Sequence, residues 1–184
     1  MNILRVPRLA HPDLAVRRLS LADADEWAEY VTLPEVTRFT SSTARTVDDV
    51  IPVIDRSLAG DPASPVLFGV RMKSTGRLVA TVGFHTIQPH NRTAEITYDV
   101  RPTHWGQGIA GVCCKGAVRW GFAAREWVRI QATTQEPNLA SQAVLLKSGF
   151  VPEGKLRNFR IVRGAPCDYL MFSIIPSDLQ THAT

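Results

Sequence analysis

The chain is poor in cysteine, in long apolar runs and in surplus charge, and each shortage removes a class of protein. Three cysteines in 184 residues, with Cys113 and Cys114 adjacent on an expected helix and Cys167 far from both, fit neither a disulfide framework nor a zinc site. Buried thiols in a reducing compartment are expected instead. No apolar stretch approaches the roughly 18 residues that span a bilayer, and the arginine-bearing amino terminus has no apolar signal core. A cytoplasmic protein that meets no membrane follows as the expectation. A net charge of +4 is ordinary solvated surface and does not call for direct nucleic-acid contact. His85, His90 and His104 share no ligand spacing, so no metal is expected. Repeats, low-complexity tracts and linkers are also missing. With 45% hydrophobic and 21% charged residues, residues 1–184 read as one domain with one sizeable core.

What is present is a succession of strand and helix signals. Leu14 to Leu19 form a first strand, and Ser20 caps a helix from Ala22 to Val31 whose positive end carries Asp23, Asp25 and Glu26. Leu33-Pro34 ends it. A polar Ser/Thr-rich loop over 34–45 leads to Thr46-Val-Asp-Asp49, a capping pattern that opens a helix to Leu58. Strands Val66–Met72, Leu78–Thr86 and Thr93–Val100, joined by turns at Ser74-Thr-Gly76 and Pro89-His-Asn91, make an antiparallel meander. A helix to Arg125 follows, then a strand over Trp127–Thr134 and a helix over Asn138–Ser148 closed by Gly149-Phe150. The tail offers strands at Lys155–Val162 and Asp168–Ile175 around Arg163-Gly164. Trp120, Phe122 and Trp127 belong in the core.

Between the strand ending at Val100 and the helix lies His104-Trp-Gly-Gln-Gly-Ile-Ala-Gly111. Glycines there let a backbone close on an anion, and free amides at a helix start point at it with a favourable dipole behind them. Gly106, Gly108 and Ala110 suit that cradle. The ATP pattern GxxxxGK[ST] is absent. A formal GxGxxG exists, yet Gly111 falls inside the helical run and no parallel βαβ array surrounds it, so a dinucleotide site is not indicated.

Trp105-Gly-Gln-Gly-Ile-Ala110 resembles the Arg/Gln-x-x-Gly-x-Gly/Ala turn of the GNAT acetyltransferases, with tryptophan departing from the first position. That tryptophan is typical of a branch similar to the RimJ/RimL ribosomal-protein N-acetyltransferases. Glu95-Ile-Thr-Tyr98 before the turn, Asn138-Leu-Ala-Ser141 and Gly149-Phe150 after it, and Arg157, Gly164 and Asp168-Tyr-Leu-Met-Phe-Ser173 in the tail also resemble that branch. The resemblance implies an α/β (α+β) GNAT fold: a mixed, mostly antiparallel sheet of about seven strands, splayed around the cofactor and flanked by about four helices. It implies acetyl-CoA as co-substrate and direct transfer of acetyl to a primary amine, either a protein N-terminus of the ribosomal-protein kind or a small molecule. The protein would act as a monomer or homodimer.

The same resemblance distributes roles. Pantetheine would bond main-chain groups of Tyr98, Asp99 and Val100, and the pyrophosphate would rest on Gly106, Gln107, Gly108, Ile109 and Ala110, with Trp105 bracing the turn. Glu95 would deprotonate the amine, through water; the alternative is a surface salt bridge. Asp99 competes less well, because on a strand it points opposite to Tyr98. Many relatives carry an acidic tyrosine where Leu145 stands here, so Ser141 would serve the sulfur and Asn138 the pantetheine, although both also suit helix capping. Tyr98 would reach the acyl group or fill the core. Acceptor contacts would come from Arg38 and Arg157, joined by Arg160 and Arg163, which would favour an acceptor carrying carboxylates or phosphates such as a peptide terminus, if these are not simply solvated charges. Two further readings remain: a CoA-binding sensor or interaction module without catalysis, and a basic RNA-associated module.

Overall fold

Alternating apolar residues build one seven-stranded sheet in the order β1-β2-β3-β4-β5-β7-β6. The computed structural model describes residues 6–179, so the outermost residues of the expected 1–184 domain lie outside the described residues. The strands are β1 (Leu14–Arg18), β2 (Val66–Met72), β3 (Leu78–Gln88), β4 (Thr93–Val100), β5 (Arg129–Gln135), β6 (Val151–Val162) and β7 (Ala165–Ile174). The helices are α1 (Ala24–Val31), α2 (Pro34–Thr37), α3 (Val47–Leu58), α4 (Ile109–Arg125) and α5 (Leu139–Lys147). All neighbours pair antiparallel except β4 and β5. That pair is parallel because α4 carries the chain back across the sheet between them.

Two-residue periodicity divides the sheet into two faces. Phe68, Val70, Val82, Phe84 and Ile96 lie in one core cluster with Cys113, Ala117 and Trp120 of α4, where Phe84 stacks between Trp120 and the edge of Trp127. On the other face Leu67 and Leu78 meet Trp27 and Tyr30 of α1 and Val50 and Ile54 of α3. Burial pushes the Cys113 and Cys114 thiols to about 12, so neither is a nucleophile near neutral pH.

Local chemistry explains the differences from the sequence reading. Five helices form rather than about four, because Pro34 ends α1 and also begins α2: proline suits a first helical position, and Leu33 before it is extended as such residues must be. The tail strand expected from Lys155 begins instead at Val151, and β6 runs through Pro152 to Gly154 on a register shift. Val128 stays outside and exposed while Trp127 is buried, so β5 starts at Arg129. The expected stop of α5 is a Schellman closure, with Gly149 N–H on the Leu146 carbonyl and Phe150 N–H on that of Leu145, both at 3.1 Å.

Gly83 shows how tightly β2 and β3 approach. A Cβ there would lie 2.1 Å from the Val66 carbonyl oxygen and 2.9 Å from Leu67 Cα. Both are backbone atoms that cannot step aside. Gly83→Ala is expected to cost at least about 3 kcal/mol, the upper end for overpacking, seen as a lower urea midpoint.

Candidate active site

The glycine turn is fastened before it is offered to anything. Arg101 at the end of β4 stacks on Tyr30 at 4.8 Å and donates to the Glu26 and Leu78 carbonyls and to Glu29. Trp105 Nε1 donates to the Val100 carbonyl at 2.7 Å, tying the turn back to the strand. Gly106 and Gly108 take φ of +75° and +77°, the left-handed region that glycine enters without strain. A Cβ on either would meet nothing within 4 Å, so the backbone here is open to what approaches from outside. The Gln107 side chain donates to the Thr103 carbonyl, while Ile109 is buried and Ala110 packs on the core to anchor the helix start. The first α4 turn closes with Val112 N–H on the Gly108 carbonyl at 3.1 Å. Amides before it are the unpartnered donors of a helix start. This cradle fits a pyrophosphate.

Beside the turn the sheet opens. β4 and β5 pair only from Thr93↔Arg129 to Glu95↔Gln131. Beyond that seam, residues 96–100 keep β3 alone and residues 132–135 keep β7 alone. Glu95 stands at the vertex, its side chain 5% exposed. Thr133 Oγ1 donates to its Oε1 at 2.6 Å, and Arg160 Nη2 donates to the same oxygen at 2.9 Å and to Thr133 Oγ1 at 3.2 Å. His85 is the β3 partner of Glu95 and shares its face. Burial holds the His85 imidazole below its ordinary value although Glu95 pulls the other way.

On the opposite face, Tyr98 Oη lies 2.8 Å from Ser141 Oγ and also donates to the Ser141 carbonyl at 3.3 Å. Burial raises the Tyr98 phenol well above its ordinary value, so it remains a protonated donor. Asn138 caps α5 by accepting the Ser141 N–H on its Oδ1 at 3.1 Å. Capping and the Tyr98 contact are thus compatible: the cap presents Ser141 to the parted strand. Leu145 is buried in the core.

The remaining sequence candidates are spread around this centre. Asp99 shares the Glu95 face, yet its carboxylate accepts from Tyr30 Oη at 2.6 Å, Thr81 Oγ1 at 2.7 Å, Thr81 N–H at 3.2 Å and Trp27 Nε1 at 3.3 Å. That carboxylate ties α1 to the sheet. Val100 closes β4 through the carbonyl that holds Trp105. Arg157 lines a groove of about 690 Å³ on the β6–β7 hairpin with Lys155, Leu156, Asn158, Phe159 and Asp168. Arg38 stacks on Phe39, and Arg163 donates to the Thr37 and Arg38 carbonyls, bridging hairpin and α2. Sequence reasoning missed His85 and Thr133 at the vertex, and it named Arg160 as an acceptor contact or a solvated charge without its pairing to Glu95. The register of the β3–β4 hairpin was the available signal for His85.

A mixed sheet parted beside a glycine-cradled helix start is the architecture of an acyltransferase. The chain belongs to the GNAT acetyltransferase family, whose acetyltransferase (GNAT) domain matches residues 13–151. An uncharacterized N-acetyltransferase, p20 of Bacillus licheniformis, is 34% identical over 167 residues, 88% of this chain and 92% of that protein. The ribosomal-protein-serine acetyltransferase of Escherichia coli is 30% identical over 98 residues, 53% of this chain and 55% of its own. In fold, the chain matches a spermidine N-acetyltransferase from Vibrio cholerae, solved with CoA and spermine, with a TM-score of 0.81 at 19% identity over 92% of this chain and 99% of that one. Among the described residues no helix is long and apolar enough to cross a membrane.

Proposed function

We propose that this chain is an acetyl-CoA-dependent N-acetyltransferase for a primary amine, with Glu95 as base and the Tyr98–Ser141 pair at the departing sulfur. The observation that carries this reading is the parting of β4 from β5 directly after Glu95, with Glu95 on one face of the opening and Tyr98 and Ser141 on the other. Acetyl-CoA supplies an acetyl group already activated as a thioester. Gly106 to Ala110 would hold its pyrophosphate, and the unpaired edge of Tyr98 to Val100, with Asn138 beside it, would hold the pantetheine. The amine then arrives from the α1–α3 face. Glu95 takes its proton, directly or through water, as the nitrogen–carbon bond forms and the carbon–sulfur bond breaks. Tyr98, kept protonated by burial, donates to the developing thiolate through or beside Ser141. Holding both reactants in one gap supplies much of the rate.

The acceptor on this reading is a protein N-terminus, as the ribosomal-protein-serine acetyltransferase suggests, or a small amine, as the spermidine enzyme suggests. The protein works as one domain in the cytoplasm. A thiol-release assay across N-terminal peptides, amino acids, polyamines and aminoglycosides tests it. Release with at least one acceptor supports catalysis. CoA binding by calorimetry with no release from any acceptor favours a sensor module instead, and no binding removes both.

The cradle makes a separate prediction. Gly108→Val forces a β-branched residue to φ +77°, a strain of about 1–3 kcal/mol, and puts a side chain where the anion would lie. Calorimetry should show CoA affinity reduced about tenfold or more, each factor of ten being about 1.4 kcal/mol. The apo protein should still fold.

A further inference from the structure

We propose that Arg160 and Glu95 together select a zwitterionic acceptor: a primary amine with a carboxylate one or two carbons away. The inference rests on the acetyltransferase reading and names its substrate class. It starts from the fact that the base is already engaged. Glu95 is 5% exposed at its side chain, and the cation bound to it is Arg160, 30% exposed. Arg160 therefore lies on the open side of the carboxylate, where an amine must come in.

The hairpin is built to deliver that guanidinium. Between Leu156↔Tyr169 and Arg160↔Cys167 the register shifts, so three residues of β6 oppose one of β7. Asn158 takes φ +50° in this bulge, and its N–H donates to Asp168 at 2.8 Å. Arg160 emerges over the rings of Phe159 at 5.2 Å and Tyr169 at 5.5 Å, which are themselves in edge contact. Lys155 is committed to Glu136 and Asp168. Arg160 alone extends from the bulge to Glu95.

Arg160 and Thr133 both donate to Oε1 of Glu95, so an amine that meets this carboxylate arrives beside the guanidinium and competes with it for the same anion. Weakening that pair leaves a part-buried guanidinium short of its anion, which is costly. An amine that carries no anion of its own offers Arg160 nothing in return. A polyamine is worse, since it brings further positive charge beside a released arginine. An acceptor with its own carboxylate closes the exchange: its amine pairs with Glu95 as its carboxylate takes Arg160, and the two chain charges are re-paired rather than separated. His85, the other titratable group facing this pair, is kept from charging by its burial and does not compete for the carboxylate.

This chemistry has two sources, free amino acids and peptides with an amino-terminal aspartate. Matched acceptors distinguish both from uncharged and cationic amines: glycine against glycinamide, Asp-Ala-Ala amide against Asn-Ala-Ala amide, and spermidine. In thiol-release kinetics the wild type should favour the acidic member of a pair by at least about tenfold in kcat/KM, and whichever pair shows it names the source. Arg160→Ala should abolish that preference by losing rate on the acid and gaining rate on the amide, because Glu95 no longer shares its charge with a guanidinium. Arg160→Lys, which keeps the charge but not the fork, should retain a reduced preference. Equal losses on both members would assign Arg160 a structural role and overturn the proposal, as would a wild type that acetylates spermidine or the amides as well as the acids. Absence of thiol release from every acceptor would overturn the transferase reading itself.

Discussion

Replacing Glu95 by glutamine is expected to lower kcat/KM about 10²–10⁴-fold, the range for removing a positioned general base. The substitution preserves size and an oxygen for Thr133 but removes the carboxylate proposed to receive the amine proton. It also dissolves the ion pair with Arg160, so the loss should fall on the acceptor side of the reaction. CoA affinity should barely change, because the glycine turn and the Tyr98–Ser141 contact lie across the gap from this carboxylate. Thiol release measured at saturating acetyl-CoA, with calorimetry of CoA on the same variant, separates the two. A variant retaining full turnover would remove Glu95 from the chemistry. Ser141→Ala is the useful companion, since Tyr98 keeps the Ser141 carbonyl as a partner and a smaller loss is expected.

The largest expected loss of stability is at Asp99. Its carboxylate is part-buried and meets four donors from Tyr30, Trp27 and Thr81. Asp99→Ala leaves those donors facing a void, and about 3–5 kcal/mol should disappear from the unfolding free energy in urea. Asp99→Asn keeps an acceptor oxygen and should cost less. The pH dependence has a definite sign. Burial is the largest influence on Asp99 and raises its folded-state value above the ordinary one of 3.8. The folded protein therefore holds the proton more tightly than the unfolded chain, and stability from this group is present below pH 3.8 and falls as pH rises through the folded-state value. Removing the carboxyl should flatten that part of the stability curve.

These two acids show where sequence suffices and where it does not. Both stand on β4 four residues apart, and strand parity puts them on one face without any coordinates. Parity cannot say that α1 folds over Asp99 and leaves Glu95 at an opening, because that depends on where Trp27 and Tyr30 dock. Local signals travelled well when the chemistry was local. The Thr46–Asp49 capping box starts α3, the glycine turn sits at the head of α4, and Gly149-Phe150 closes α5. Arg160 was legible as a candidate acceptor contact, but its pairing with Glu95 was not. Its reach to Glu95, 65 residues earlier in the chain, depends on a bulge that no alternation pattern announces. Likewise, Asn138 and Ser141 offered a choice between capping and a site role that only the position of Tyr98 shows to be no conflict.

The seam between Thr93–Glu95 and Arg129–Gln131 has one more consequence. Strands β1 to β4 and strands β5 to β7 are two leaves stitched over three residues, and the groups that matter are divided between them: Glu95 and Tyr98 on one, Thr133 and Arg160 on the other. Distances across the proposed site are then set by the angle between the leaves as much as by rotamers. Arg163, fastened to the Thr37 and Arg38 carbonyls beside the opposite leaf, braces that angle from outside the gap, as Thr133 and Arg160 do at Glu95 within it.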